Sequence, residues 1–311
     1  MKYHHHIYGL NLCSEIGFPE LREGQNNLSD INLRFGKVER NEDEPIESDK
    51  DLGFWITPDM VAVISQTMGQ FLVRNGNEII IDPFPHTDEQ AIRSLVLDIL
   101  LPAVLHQRGF LLLHASAVAC DGAIAFIGPS GAGKSTMAIA MHTYRQQSVA
   151  GKQGGIFTDD LVAVEFDDTG NPLVLPGFFQ LKFLPETVQG INHLKDAISS
   201  ETDPLTKKHI CSKSAYFAKD KMQLKQIYVL SESEDLSIEP LSPQECFLTL
   251  INNSYAIGFL KAAKSSAHQF HQYMKLAQKA SVYRLNRPKS FSTLPEVVKL
   301  VEQKSQLLTK G

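Results

Sequence analysis

Apolar and polar positions alternate along the first part of the chain. Ile7-Tyr8-Gly9-Leu10-Asn11-Leu12 and Asp30-Ile31-Asn32-Leu33-Arg34-Phe35 have the period of half-buried strands. Phe71-Leu72-Val73-Arg74 and Asn77-Glu78-Ile79-Ile80-Ile81 flank Asn75-Gly76, a pair suited to the two positive-φ positions of a type I′ hairpin turn. The run His4-His5-His6 reads as part of an alternating strand rather than a metal site. Glu39 to Asp51, dense in acids and holding Pro45, reads as a solvated loop. Residues 1–86 are therefore expected to form a β-rich domain, with substrate recognition as its candidate role.

The period then lengthens. Thr87 to Gln107 reads as a helix opened by a Thr87–Gln90 capping box and kinked or divided at Pro102, a connection covering residues 87–108. From Gly109 strands and helices mix, and residues 109–311 are expected to form an α/β domain. Phe110 to Ala119 is a strand, Asp121-Gly122 a turn, and Ala123 to Ile127 a short apolar return strand. Gly155 to Thr158, Leu161 to Phe166, Leu173 to Leu175 and Gln226 to Leu230 are further strands. Gln189 to Ala218 is polar and irregular. Ser242-Pro243 starts a helix with proline in its first position, and helical stretches follow near Ser265–Ala280 and Leu294–Leu308.

The 311 residues, 43% hydrophobic and 21% charged, describe a globular protein. A net charge of −5 argues against nucleic acid as the main partner. Cys13, Cys120, Cys211 and Cys246 form no CxxC pair, so neither a disulfide framework nor a zinc site is expected, and a reducing cytoplasmic setting is. Met1 to His6 lacks the apolar core of a secretory leader, and the longest apolar stretch is broken by Asp98 and Pro102, so no membrane span is expected.

The chemistry concentrates at Gly128-Pro129-Ser130-Gly131-Ala132-Gly133-Lys134-Ser135. This is a complete phosphate-binding loop: Gly128, four residues, then Gly133, Lys134 and Ser135. The glycines let consecutive backbone N–H groups turn toward phosphate oxygens. Lys134 supplies a point charge to the β- and γ-phosphates, and the Ser135 hydroxyl is a ligand for Mg²⁺. An apolar strand precedes the loop and Thr136 to His142, rich in helix formers, follows it. The helix N-terminus adds its own positive end.

Asp159-Asp160 stands between two apolar strand segments, where acids are costly unless they hold a metal or accept a proton. Adjacent residues point different ways, so one can face a metal and the other an incoming hydroxyl. Asp167-Asp168, ahead of Thr169-Gly170-Asn171-Pro172, reads instead as a solvated turn. His114, inside an apolar strand one hairpin before the loop, is balanced between a core histidine and a catalytic one. Lys182 reads either as a phosphate or carboxylate ligand or as a solvated strand residue, and Lys207-Lys208-His209 more readily as a solvated loop than as a segment closing on phosphates.

From His114 through Asp160 the chain resembles the catalytic domain of HPr kinase/phosphorylase, the bacterial P-loop serine kinase. His114 on a strand, the hairpin, the loop, the helix and Asp159-Asp160 follow in that family's order. The whole chain is similar to the HPr-kinase-related proteins found beside lasso-peptide biosynthesis genes. That likeness rests on Tyr8-Gly9-Leu10, Ser14-Glu15-Ile16, Pro19-Glu20-Leu21, Gln107-Arg108-Gly109, the run Leu113 to Val118, Thr158-Asp159-Asp160, Pro176-Gly177 and Leu181 to Pro185. The resemblance implies an HPr kinase C-terminal-like fold, akin to phosphoenolpyruvate carboxykinase, with ATP and Mg²⁺ as cofactors and a symmetric homo-oligomer. It implies Asp159 as general base for a serine hydroxyl, Asp160 as an Mg²⁺ ligand with Ser135, Lys134 on the transferring phosphoryl group, and His114 near the phosphates. Gly128 to Thr136 would line the nucleotide. Thr136 stands where HPr kinases usually carry glutamate, and the RGxGxxN signature of the reverse phosphorolysis is absent. The acceptor implied is therefore a serine on a peptide or protein, in the lasso-related members the C-terminal serine of a precursor. A small-metabolite kinase and a non-catalytic nucleotide-dependent regulatory module are the alternatives. No NKxD guanine motif and no LSGGQ signature is present.

Overall fold

Strands of alternating polarity and helices with one apolar face make a mixed α/β protein. A computed structural model describes residues 1–39, 47–49, 52–148, 155–191, 202–255 and 267–309. These divide into two compact units. The first holds Met1–Phe110 together with Asp203–Lys207 and, among described residues, 267–269; the second holds the rest.

In the first unit the strands are β1 (Tyr3–Ile7), β2 (Leu10–Ser14), β3 (Arg22–Glu23), β4 (Ile31–Phe35), β5 (Glu47–Asp49), β6 (Leu52–Ile56), β7 (Met60–Ser65), β8 (Gly69–Arg74) and β9 (Glu78–Pro83). They form one sheet in the order β3-β1-β2-β4-β9-β8-β7-β6-β5. Period-two alternation decides its faces. Val61, Val63, Phe71, Val73, Ile79 and Ile81 are buried on one side, while Ala62, Leu72 and Ile80 form a small cluster with Val38, Trp55 and Met60 on the other. Asn75 and Gly76 take φ of 52° and 62°, the expected hairpin turn.

The expected strand Ile7 to Leu12 is instead a hairpin, because Tyr8 and Gly9 take φ of 50° and 75° and turn the chain between β1 and β2. A buried Tyr8 preserves the apolar alternation through the turn, so hydrophobicity alone hides it. Within the acidic stretch Glu39–Asp51, residues 40–46 and 50–51 lie outside the described residues.

Residues 87–108, expected as a separate connection, belong to this first unit. The helix caps on Asp88, whose carboxylate accepts from Gln90 N; Thr87 Oγ1 donates to the Phe84 and Met68 carbonyls instead. It runs as α1 (Glu89–Leu95), a π-helical turn over Val96–Leu100 and α2 (Leu101–Gln107). The widened turn ends two residues before Pro102, which lacks the N–H and crowds the preceding carbonyls.

The second unit contains β10 (Leu111–Cys120), β11 (Gly122–Ile127), α3 (Lys134–Ser148), β12 (Ile156–Thr158), β13 (Leu161–Phe166), β14 (Pro172–Val174), β15 (Leu181–Phe183), α4 (Pro185–Gly190), β16 (His209–Cys211), β17 (Met222–Glu232), β18 (Ser237–Pro240), α5 (Pro243–Asn252), α6 (Ala267–Lys279, its first residues shared with the first unit), β19 (Ser281–Arg287) and α7 (Leu294–Thr309). The main sheet runs β11-β10-β13-β14-β17-β19-β18, and β11 also pairs with β17, so the ladder returns on itself. Leu111, Leu113, Ala115 and Ala117 of β10 face a core with α5 and α6; Val118 and the return strand residues Ile124 and Phe126 face one with α3 and α7. Strands β11, β17 and β19 are mutually parallel, with Ile127 beside Val229 and Arg287 beside Glu232. The loop after β11 therefore leaves from the carboxyl ends of parallel strands, where open α/β sheets place ligands. The apolar pattern does not reveal strands β18 and β19, although Val282, Tyr283 and Leu285 carry strand residue types. The polar stretch Gln189–Ala218 contains β16, and its residues 192–201 lie outside the described ones. The four cysteines are free, and among the described residues no helix is long and apolar enough to cross a membrane.

Two glycines of the first unit separate strain from crowding. A Cβ at Gly9 (φ +75°) meets nothing within 4 Å, whereas at Gly69 (φ +119°) it would lie 2.3 Å from the Asp82 carbonyl oxygen. We expect Gly9→Ala to cost about 1–2 kcal/mol, the left-handed penalty alone, and Gly69→Ala distinctly more. Urea unfolding of both variants measures this, and equal losses would refute the crowding argument.

Candidate active site

Gly128, Gly131 and Gly133 take φ of 150°, 80° and 93°, a sequence of backbone turns open to glycine and strained for other residues. Pro129, Ser130 and Gly131 are exposed at the tip, while Lys134 opens α3 and is buried. Lys134 Nζ donates to the Gly128 and Pro129 carbonyls at 3.0 and 3.2 Å, which draws the ammonium back over its own loop. Burial lowers the Lys134 pKa, opposed by the charges of Asp160 and Asp159. Thr136 turns away: its hydroxyl lies 3.4 Å from that of Thr187.

Asp159 and Asp160 follow β12 and precede β13, and β12 and β13 both pair with β10. Asp160 takes φ of 61°, a left-handed conformation that aspartate tolerates better than most residues, and the reversal aims the two carboxylates apart. Asp159 is buried. Its Oδ1 accepts from the Ser116 hydroxyl of β10 at 2.5 Å, its Oδ2 from Lys182 N of β15 at 3.3 Å, and Ser135 also hydrogen-bonds to it. Asp160 faces the other way, with His114 Nε2 at 3.8 Å and Lys208 Nζ at 3.8 Å, distances of charge contact. The His114 ring stands edge-on to Tyr255 at 6.2 Å, and its backbone N–H donates to the Asn253 carbonyl.

The two acids titrate in opposite directions. Burial and the neighbouring Asp160 charge raise Asp159, against the hydrogen bonds from Ser116, Ser135 and Lys182. Burial would raise Asp160 as well, but His114, Lys208 and Lys182 outweigh it and hold Asp160 below the usual carboxylate range. A pair driven apart in this way offers one proton acceptor and one persistent anion. Lys134, Lys182 and Lys208 set three ammonium groups against two carboxylates, a local positive excess suited to a polyanion.

Lys134, Ser135, Asp159, Asp160 and His114 lie close together, and Gly128 to Gly133 form the loop beside them. Lys182 and Lys208 join the cluster, carried by β15 and by the residue before β16, strands that pair as a two-stranded ribbon. Asp167 stands apart and caps its own turn by accepting from Thr169 N and Asn171 N. Ser116 and Arg287 are additions that the sequence pattern does not single out. Ser116 carries a signal, a hydroxyl in an otherwise apolar strand two residues from His114. Arg287 donates from Nη2 to the Ala132 carbonyl at 2.7 Å. Among the described residues no group of three or more His, Cys, Asp or Glu could hold a metal. Ser135 with one carboxylate of the pair is a small set of hard oxygen donors, and Mg²⁺ characteristically takes one or two carboxylates and completes its shell with phosphates and water. The donor set fits that ion.

No protein-family model matches the chain, and no curated protein matches it. Among solved structures it is similar to the Hpr(Ser) kinase/phosphatase from Coxiella burnetii, with 11% identity and a TM-score of 0.32 over 64% of this chain and 99% of that one. A superposition that loose leaves the functional argument to the site itself.

Two consequences concern stability. The folded-state pKa of Asp159 lies above its unfolded value, so the ionised carboxylate subtracts stability above that pKa and nothing once pH falls below the unfolded value. Asp159→Asn should therefore raise the melting temperature of the nucleotide-free protein near neutral pH, with the gap closing as pH drops through the carboxylate range. A gap independent of pH would contradict this. Ser116→Ala removes a donor from a buried carboxylate and should cost about 1–3 kcal/mol in denaturant unfolding; a loss under a few tenths would mean that the bond is of no consequence.

Proposed function

We propose that the chain is an ATP- and Mg²⁺-dependent kinase that transfers the γ-phosphoryl group to a serine hydroxyl of a peptide or protein. The observation that carries the reading is the convergence of Lys134 and Ser135 with two oppositely aimed, oppositely shifted carboxylates at the carboxyl ends of parallel strands. The loop N–H groups and Lys134 bind the triphosphate. Ser135 and Asp160 are the residues that would hold Mg²⁺, which would supply charge neutralisation on the transferring phosphoryl group. Asp159 takes the serine proton as the serine oxygen bonds to the γ-phosphorus and the bond from that phosphorus to the β–γ bridging oxygen breaks. ADP leaves, and the proton passes later to solvent. Ser116 and the Lys182 N–H keep the Asp159 carboxylate aimed, while His114 and Lys208 hold Asp160 anionic.

The serine acceptor, including the C-terminal serine of a precursor peptide, rests on the sequence resemblance of the His114–Asp160 stretch. Serine peptides, threonine peptides and hydroxylated metabolites incubated with labelled ATP separate the candidates, since label appearing only in a metabolite would remove the peptide assignment. Asp159→Asn should lower transfer by about 10²–10⁴-fold, the usual worth of a positioned general base, with nucleotide affinity largely kept. Unchanged transfer would overturn the role of Asp159. Nucleotide binding with no transfer to any acceptor would favour a regulatory module.

A further inference from the structure

Arg287 is the last residue of β19, opposite Glu232 of β17, at the strand ends from which the phosphate loop departs. It is only 5% exposed. Its Nη2 donates to the Ala132 carbonyl at 2.7 Å, its Nη1 to the Pro288 carbonyl at 3.3 Å, and its buried Nε has no hydrogen-bond partner among the described residues. The fit against the loop is close: a Cβ built on Gly133 would stand 2.5 Å from Arg287 Nη2. Gly133 is required by its φ of +93°, and a side chain there would also displace the guanidinium behind it.

A permanent cation in such a place needs explanation. Burying an arginine without a close carboxylate is costly, and Glu232, the acid beside it among the described residues, is exposed. Two carbonyls offset only part of that cost. One of them, however, belongs to the residue between the second and third turns of the phosphate loop. A hydrogen bond that draws the Ala132 carbonyl toward β19 constrains the next peptide N–H, that of Gly133, to the opposite side, where phosphate-loop donors point.

We infer that Arg287 is a positioning residue of the phosphate site: it fixes the Ala132–Gly133 peptide and adds a buried positive charge behind the loop that favours a bound polyphosphate. Arginine suits the task because its planar fork can grip the loop carbonyl and the Pro288 carbonyl together. The inference rests on the phosphate-binding part of the proposed function and is independent of the kinase assignment.

The test is the affinity of MgATP, inorganic tripolyphosphate and adenosine for the full-length wild type, Arg287→Met and Arg287→Lys, beside the melting temperature of each without ligand. Loss of one charge-assisted contact predicts about 10- to 100-fold weaker binding of MgATP and tripolyphosphate to Arg287→Met. Adenosine binding should be unchanged and the fold retained. Arg287→Lys should recover part of the loss, since it restores charge without the fork. If the Met variant does not fold, the Lys variant decides, with selective weakening of the two polyphosphates expected. Equal polyphosphate affinity in every folded variant, or a loss shared by adenosine, would overturn the inference. A wild type that binds neither polyphosphate would defeat the phosphate-loop reading itself.

Discussion

Charge held out of water is the constraint on which the second unit turns. Asp159 lies almost wholly buried beside Asp160, and two adjacent carboxylates repel unless cations and hydrogen bonds surround them. Each neighbour answers part of that demand. Ser116 and the Lys182 N–H satisfy Asp159, while His114, Lys208 and Lys182 hold Asp160. Burial lowers the Lys134 pKa, and the charges of the same pair oppose that shift. These groups come from β10, β15, the segment before β16 and the start of α3. The polar corner therefore adds a second tie between elements that an apolar core already packs together.

The sheet supplies the geometry. Parallel β11, β17 and β19 end side by side, the loop leaves from the first of them, and α3 starts beneath it. Antiparallel β10 lies on the other edge of β11 and carries both His114 and Ser116, which reach the two acids from one strand. Reversing Asp160 through positive φ directs the acids to different partners. One backbone feature thus separates a carboxylate suited to taking a proton from one suited to staying charged.

Much of this is legible in the amino-acid sequence wherever the chemistry is local. The phosphate loop is readable because each position has its own backbone or charge requirement, and the glycine φ values follow that pattern. The Asn75-Gly76 hairpin, the Pro102 disturbance and the helix opening at Ser242-Pro243 are likewise written in a few adjacent residues. Tyr8-Gly9 escapes because a buried aromatic occupies a turn position and keeps the alternation unbroken. Within the site, Lys208 reads locally as a solvated loop residue, and only the β15–β16 ribbon brings it to Asp160. Arg287 lies 155 residues from the carbonyl it binds, on a strand the hydrophobic pattern does not reveal. Partnerships across such separations are set by sheet order, which periodicity does not encode.

On the proposed function, the loop and the acid pair are two halves of one phosphoryl-transfer site. A crystal structure with Mg²⁺ and a non-hydrolysable ATP analogue tests it most directly. The account predicts the triphosphate within the arc of N–H groups of residues 130–135, with Lys134 Nζ moved from the Gly128 and Pro129 carbonyls onto phosphate oxygens. It also predicts the metal on Ser135 and Asp160, and Asp159 facing the side of the γ-phosphorus opposite the leaving group. A triphosphate bound away from the loop, or bound there with both carboxylates directed elsewhere, would contradict it.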